Sequence, residues 1–543
     1  MASPFCLRCL RRSLPAAEGR PVPRAFSTTA SLSANPPKKK PVTGKPVQKA
    51  GKTLRLAKTR RVETSRPPAP GERKAARKRV VLSNGNALDV ADLPNWTSEN
   101  VGRAEALRAL EGQVVGIGPD SVDALRALEA FKANQGWHHF RRPATVVRRE
   151  TVELGEALLG VKDEKRVVRQ LVHGGKGTGK SVLVLQGLAM AYLQGMVVVL
   201  FPEARDMTDG RTAYEALPTP SGETLWVQPE YTAQLLRNIA TANKGLLDNL
   251  QASLQHSLPV PVQDNISLFR LAEMGASDPA IAYPVWQALW KELLAPSQPD
   301  KHGRLRPPVA VAMDGVDHIM RVSAYLDADA QPIHAHDLAV ARDFTALLSG
   351  KTPMPNGGAV LAATSASTRP SVPTLDHIID IEEARPHLER LLKLKADLLK
   401  ASRDAKSLQD IDMTPVEDLR PRTFPPSLER MAAYVQSAVL RLHDQDASPQ
   451  ALHATIERSM RPRLPEWNPY EPRDSKVEAA MQGVRVRRVA GLGMAEARSV
   501  MEYYAKSGMV RAAVTEGLVR EKWVVAGGGV VGEIEKGSVG MRF

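Results

Sequence analysis

Residues 171–187, LVHGGKGTGKSVLVLQG, set Gly174-x-x-x-x-Gly179-Lys180-Ser181 between a β-type run and a helical pattern. No other stretch of the chain narrows its possible folds as far. Glycines at 174, 175, 177 and 179 let the backbone turn tightly and aim successive N–H groups inward. A helix starting at once behind them adds the positive end of its dipole. KRVVRQLVHG before the loop reads as a strand, SVLVLQGLAMAYLQG after it as a helix ending at Gly195, and MVVVLF as a second strand. Strand, glycine loop, helix and strand together form the P-loop arrangement. VAVAMD (309–314) and GAVLAATS (358–365) read as further buried strands, so the expected class is α/β, a parallel sheet with helices on both faces.

The chemistry follows from the residue types. Gly174, Gly175, Lys176, Gly177, Thr178, Gly179, Lys180 and Ser181 would cradle phosphates. Lys180 would reach the β- and γ-phosphates, and the Ser181 hydroxyl would sit on Mg²⁺. A metal also needs an acid across the sheet, and Asp314 stands at the carboxyl end of VAVAMD. Thr364 and Ser365, at the end of the next strand, occupy a sensor position near the γ-phosphate. Gly315 follows Asp314 where many hydrolysing P-loop ATPases carry a water-activating Glu, which leaves Asp317 as the catalytic candidate. Nucleotide binding is expected; turnover is not. NKGLLD (243–248) lacks N-K-x-D spacing, so this chemistry leaves guanine and adenine both open. His138, His139, His334 and His336 have no carboxylate or Cys framework around them and are not expected to hold metal.

A chain of 543 residues exceeds a single core. The divisions expected are a transit peptide at 1–26, a basic disordered extension at 27–85 and a helical segment at 86–149. The P-loop domain follows at 150–384, then a helical region at 385–480. A winged-helix-like domain is expected at 481–543, with two helices and two Val-rich runs turning at Gly527–Gly529. The net charge of +15 is concentrated at one end: residues 1–80 hold 21 Lys and Arg against 3 Asp and Glu, out of totals of 74 and 59. The remainder is close to neutral, so the pattern is a folded body with a polycationic arm suited to phosphates. The first thirty residues carry five arginines and one acid, with Arg24-Ala25-Phe26-Ser27 as a cleavage site, which predicts the mitochondrial matrix. The two cysteines, Cys6 and Cys9, fall inside that segment, which leaves the mature chain without thiol chemistry. No apolar run approaches the roughly 18 residues that span a bilayer.

FRRPATVVRRETVEL, GGKGTGKSVLVLQ, VVVLFPEA, VAVAMDGVD and GAVLAATSAS, over roughly 130–380, resemble the death-associated protein 3 family of the mitochondrial small ribosomal subunit, in a fungal-type version. The resemblance implies an AAA+-like core, GTP or GDP on residues 174–181 (ATP being the alternative), and Mg²⁺ near Asp314. It also implies small-subunit rRNA and neighbouring ribosomal proteins as partners, with contacts toward the large subunit and no homo-oligomer. The alternatives are an active AAA+-type matrix NTPase and a protein of mitochondrial apoptosis signalling.

Overall fold

The computed structural model describes residues 80–219, 222–263, 265–297, 305–420, 424–445 and 447–539. The expected transit peptide, the basic extension through residue 79, Cys6 and Cys9 lie outside the described residues. In chain order the strands are β1 (Val114–Gly116), β2 (Ala144–Val146), β3 (Val167–His173), β4 (Val197–Phe201), β5 (Glu215–Pro218) and β6 (Thr224–Val227). They continue with β7 (Val309–Asp314), β8 (Val322–Leu326), β9 (Pro332–His334), β10 (Gly358–Ala363) and β11 (Arg485–Arg488). Five of them form one parallel sheet in the order β11-β3-β10-β7-β4. The other six pair off as two-stranded antiparallel ladders, β1 with β2, β5 with β6 and β8 with β9.

Every residue of β4, β7 and β10 is buried, as expected of short unbroken apolar runs in a parallel sheet covered on both sides. The strand period of two divides their side chains between two cores. Val197, Val199, Phe201, Val309, Val311, Met313, Val360 and Ala362 face one core. Val198, Leu200, Ala310, Ala312, Ala359, Leu361 and Ala363 face the other. Helices Pro229–Ala242, Leu268–Ser277, Pro279–Leu293 and Ala339–Leu348 cover the first face. Trp286 is its largest fully buried side chain, stacked on Trp290 at 4.7 Å and edge-on to Phe201 at 6.4 Å. Helices Arg149–Asp163 and Lys180–Leu193 cover the second face. Gly187 sets the depth of that contact: a Cβ there would meet Leu361 Cδ1 at 2.7 Å and Leu154 Cδ2 at 3.0 Å.

Register positions the site. Ala363 of β10 pairs with Val172 of β3 on one side and Asp314 of β7 on the other. The chain therefore leaves all three strands at one level of one edge. The expected strands, the glycine-loop helix and the two-sided cover are all present.

Two features depart from expectation. The Val-rich runs around Gly527–Gly529 are not a hairpin: Trp523, Val524 and Val525 finish helix Glu516–Val525, and helix Val531–Ser538 follows. Thr515 caps the first of these helices, and Trp523 anchors it by donating from Nε1 to Leu492 O at 2.7 Å. Tertiary packing has overridden the β preference of two valines that remain exposed. The expected wing is thus replaced by a third helix. Upstream of these helices, β11 joins the central sheet beside β3. The chain also returns on itself: Val90, Leu93, Val114 and Phe140 share a core with Leu492, Val500, Tyr503, Tyr504 and Ile534. Phe140 lies 5.1 Å from Tyr503 and 5.3 Å from Tyr504, ring to ring.

The helical region gathers a separate core from residues 384–460. Helix Pro373–Asp404 connects it to the sheet, with Leu375 and Ile379 in the central core and Leu391, Leu394 and Leu398 in the helical one. Among the described residues no helix is long and apolar enough to cross a membrane.

At the sheet edge, no strand among the described residues lies on the outer side of β4, yet Val198 is fully buried. The Asn243 amide replaces that strand. Val198 N–H donates to Asn243 Oδ1 at 2.8 Å, and Asn243 Nδ2 donates back to Val198 O at 2.8 Å. Asn243→Ala leaves two buried backbone groups unpaired, a cost of about 3 kcal/mol. The expected outcome is faster amide hydrogen exchange at Val198, by about tenfold or more; unchanged exchange would show that the edge is held by other means.

Candidate functional site

The loop after β3 is built from backbone conformations that ordinary residues avoid. Gly174, Gly177 and Gly179 have φ of +146°, +75° and +100°. At Gly174 there is also no room, since a Cβ would lie 2.3 Å from Val489 O. Helix Lys180–Leu193 begins directly behind Gly179, with no side chain capping its first N–H groups. Inside the loop, Lys180 Nζ donates to Gly174 O at 2.9 Å and Gly175 O at 2.7 Å, and Thr178 Oγ1 donates to Gly175 O at 3.0 Å. Burial lowers the Lys180 pKa, Asp314 and Asp317 oppose the shift, and Arg369 adds to it.

Across the edge, β7 ends in Asp314, which is 6 % exposed. Gly315, at φ +76°, turns the chain and donates its N–H to Ala363 O at 2.8 Å. Thr364 N–H donates to Val172 O at 2.9 Å, which fixes the end of β10 against β3. Asp317 is fully buried, and its Oδ1 accepts the Ser365 N–H at 2.6 Å. That bond joins the turn after β7 to the segment after β10. Burial lifts the Asp317 carboxyl to about 6, against the pull of the Ser365 bond and Arg369.

Lys176 to Ser181, Asp314, Gly315, Thr364 and Ser365 all line one cavity of about 430 Å³. That volume falls in the range of small-ligand sites. Gly174 and Gly175 are not part of that lining; their carbonyls serve as acceptors for Lys180. Asp317 is fully buried and not among the lining residues, so the catalytic candidate lies behind the wall. The His138 and His139 rings lie 3.9 Å apart, tilted by 41°, and His334 Nε2 bonds Asp474 at 3.0 Å. No group of three or more His, Cys, Asp or Glu among the described residues could hold a metal ion.

Several lining residues were not foreseen. Arg148 Nη1 donates to Thr178 O at 3.0 Å, and its Nη2 to Ala490 O at 3.1 Å, so it joins the loop to the segment after β11. Gly532 N–H donates to Gly177 O at 3.0 Å, which seats the last helix on the loop. Glu535, one turn further along, accepts a backbone bond from Gly136 while burial pushes its carboxyl up. Tyr503 and Tyr504 complete that side of the cavity. Lys132 reaches in from the segment before β2 and ion-pairs with Asp314. No local signal marks these residues, because each meets partners far away in the chain.

The Lys132 pair bears on the expected Mg²⁺. Ser181 and Asp314 both face the cavity, and of the two only Asp314 offers a dication an anionic oxygen. The Asp314 carboxylate is already neutralised by an ammonium. As arranged, the pair does not fit a divalent ion.

Comparison with known proteins adds an independent line. A family model described as mitochondrial ribosomal death-associated protein 3 matches residues 145–423 and 427–537. The chain is 33% identical over 552 residues to the small ribosomal subunit protein mS29 of Neurospora crassa, covering 99% of each chain. It is 22% identical over 346 residues to the protein of the same name from Schizosaccharomyces pombe, covering 62% of this chain and 67% of that one.

Asp317 generates a pH signature. Its folded value of about 6 lies above the ordinary 3.8, so the folded state holds the proton more tightly. Stability therefore falls as pH rises from about 4 to about 6, by up to roughly 3 kcal/mol, and stays lower above that. Asp317→Asn keeps an acceptor for Ser365 and removes the ionisation. The variant should resist urea better than the parent at neutral pH and equally near pH 4. A gain of the same size at both pH values would contradict this account.

Proposed function

This chain belongs to the mitochondrial ribosomal death-associated protein 3 family, and from that premise we propose that it is a structural component of the mitochondrial small ribosomal subunit that retains a guanine nucleotide in the cavity beside β3. The ribosomal role and the matrix location follow from the family. One observation supports the nucleotide. A glycine loop with left-handed turns, a helix N-terminus and Lys180 meet the ends of β7 and β10 at one edge of a parallel sheet. Crevices at the carboxyl ends of parallel strands are where such sheets bind ligands, and these donors suit phosphate oxygens.

Guanine is favoured over adenine by the family resemblance and by Glu535. A carboxylate in the cavity wall can accept from the N–H groups on guanine's pairing edge, while adenine offers an acceptor at the matching ring nitrogen. Retention is favoured over turnover by two features. Gly315 stands where an activating Glu is absent, and Asp317, the other acid near that turn, lies behind the wall. A ligand held this way stabilises the fold by mass action. It would also join the loop to the C-terminal helices, since Gly532 and Glu535 belong to the same wall. The basic stretch of residues 1–80 supports contact with rRNA through phosphates.

The test is Lys180→Ala. The purified variant should elute without nucleotide, and the expressed variant should leave the small-subunit peak of a Mg²⁺ gradient for lighter fractions. A variant that keeps a full complement of nucleotide would overturn the site.

A further inference from the structure

An acid at the end of β7 would repel phosphates held by the neighbouring loop unless a cation stands beside it. In phosphate-loop proteins generally that cation is Mg²⁺, held by the loop Ser or Thr and the strand Asp. Here the partner of Asp314 is a side chain of the protein itself, the Lys132 ammonium. Its position is built. Phe131 and Trp137, on either side of it in sequence, are buried and pack edge-on at 5.2 Å. Between them a turn is closed by Gln135 N–H donating to Lys132 O at 3.2 Å. The Gln135 Oε1 accepts both Lys132 N–H at 3.0 Å and Trp137 Nε1–H at 2.6 Å. Lys132 is therefore aimed from an anchored turn, with its side chain only 25 % exposed.

We propose that Lys132 takes the place of the divalent cation, so that this chain binds a nucleoside diphosphate without Mg²⁺; the inference rests on the nucleotide reading above. Lys132 and Lys180 both line the cavity, Lys132 on the acid and Lys180 on the loop. A tethered ammonium has a local concentration fixed by the fold and independent of Mg²⁺ in solution. It offers neutralisation without the bridging of β- and γ-oxygens that a metal supplies in phosphoryl transfer. That difference suits a site that keeps its nucleotide.

Calorimetric titration of the purified full chain with GDP, in Mg²⁺ and in EDTA, tests this. The parent should lose less than about threefold in affinity on chelation. Lys132→Gln should bind at least about tenfold more weakly in EDTA and recover when Mg²⁺ is supplied, because Asp314 is then free to take it. Adding Asp314→Asn to Lys132→Gln should restore binding in EDTA, which also shows that the variant folds. A parent that loses about tenfold in EDTA, or a Lys132→Gln variant that binds like the parent there, would overturn the inference and leave the nucleotide site standing. A parent that binds no GDP in either buffer would instead remove the nucleotide reading and the inference with it.

Discussion

Everything at the site depends on the register between β3, β10 and β7. Because Ala363 is paired at once with Val172 and Asp314, the three strands stop together and their following loops emerge side by side. A slip of one residue would turn alternate side chains from one core to the other, exchanging Val360 and Ala362 for Leu361 and Ala363. The two buried faces thus enforce the alignment that brings Lys180 opposite Asp314. The glycine loop can adopt its left-handed turns only in a space that this alignment leaves open, against Val489 O on the neighbouring strand's exit.

A second constraint closes the chain around the same place. Arg148, before the sheet begins, donates to carbonyls on both the loop and the segment after β11. The final helix rests on Gly177 through the Gly532 N–H. Phe140 and the paired tyrosines at 503 and 504 supply the apolar cement between the two ends of the described chain. A molecule in the cavity would touch residues from before, within and after the sheet. For a protein whose family works within a large assembly, such a ligand would act as an internal brace.

How much of this was legible in the sequence depends on the range of the interaction. The loop, its helix and the runs MVVVLF, VAVAMD and GAVLAATS declared themselves because each is decided by neighbours within one turn or strand. So did the alignment of Asp314 and Thr364 on one edge, which follows from parallel strands ending together. The wing failed because Val524 and Val525 obey an anchor, Trp523 on Leu492, that no local pattern reveals. Lys132, Arg148 and Glu535 were invisible for the same reason: their partners are set by how the two ends of the chain meet. Arg487 on β11 gave no warning of a fifth strand, since RVRR is short, charged and at an edge.

The claim at the centre is that the cavity beside β3 is filled by a guanine nucleotide that stays in place. It is tested most directly by denaturing purified mitochondrial small subunits and identifying the released nucleotides by chromatography and mass spectrometry. The account predicts about one guanine nucleotide for each copy of this chain. Subunits that contain the chain but release no nucleotide, or release adenine nucleotide in its stead, would contradict it.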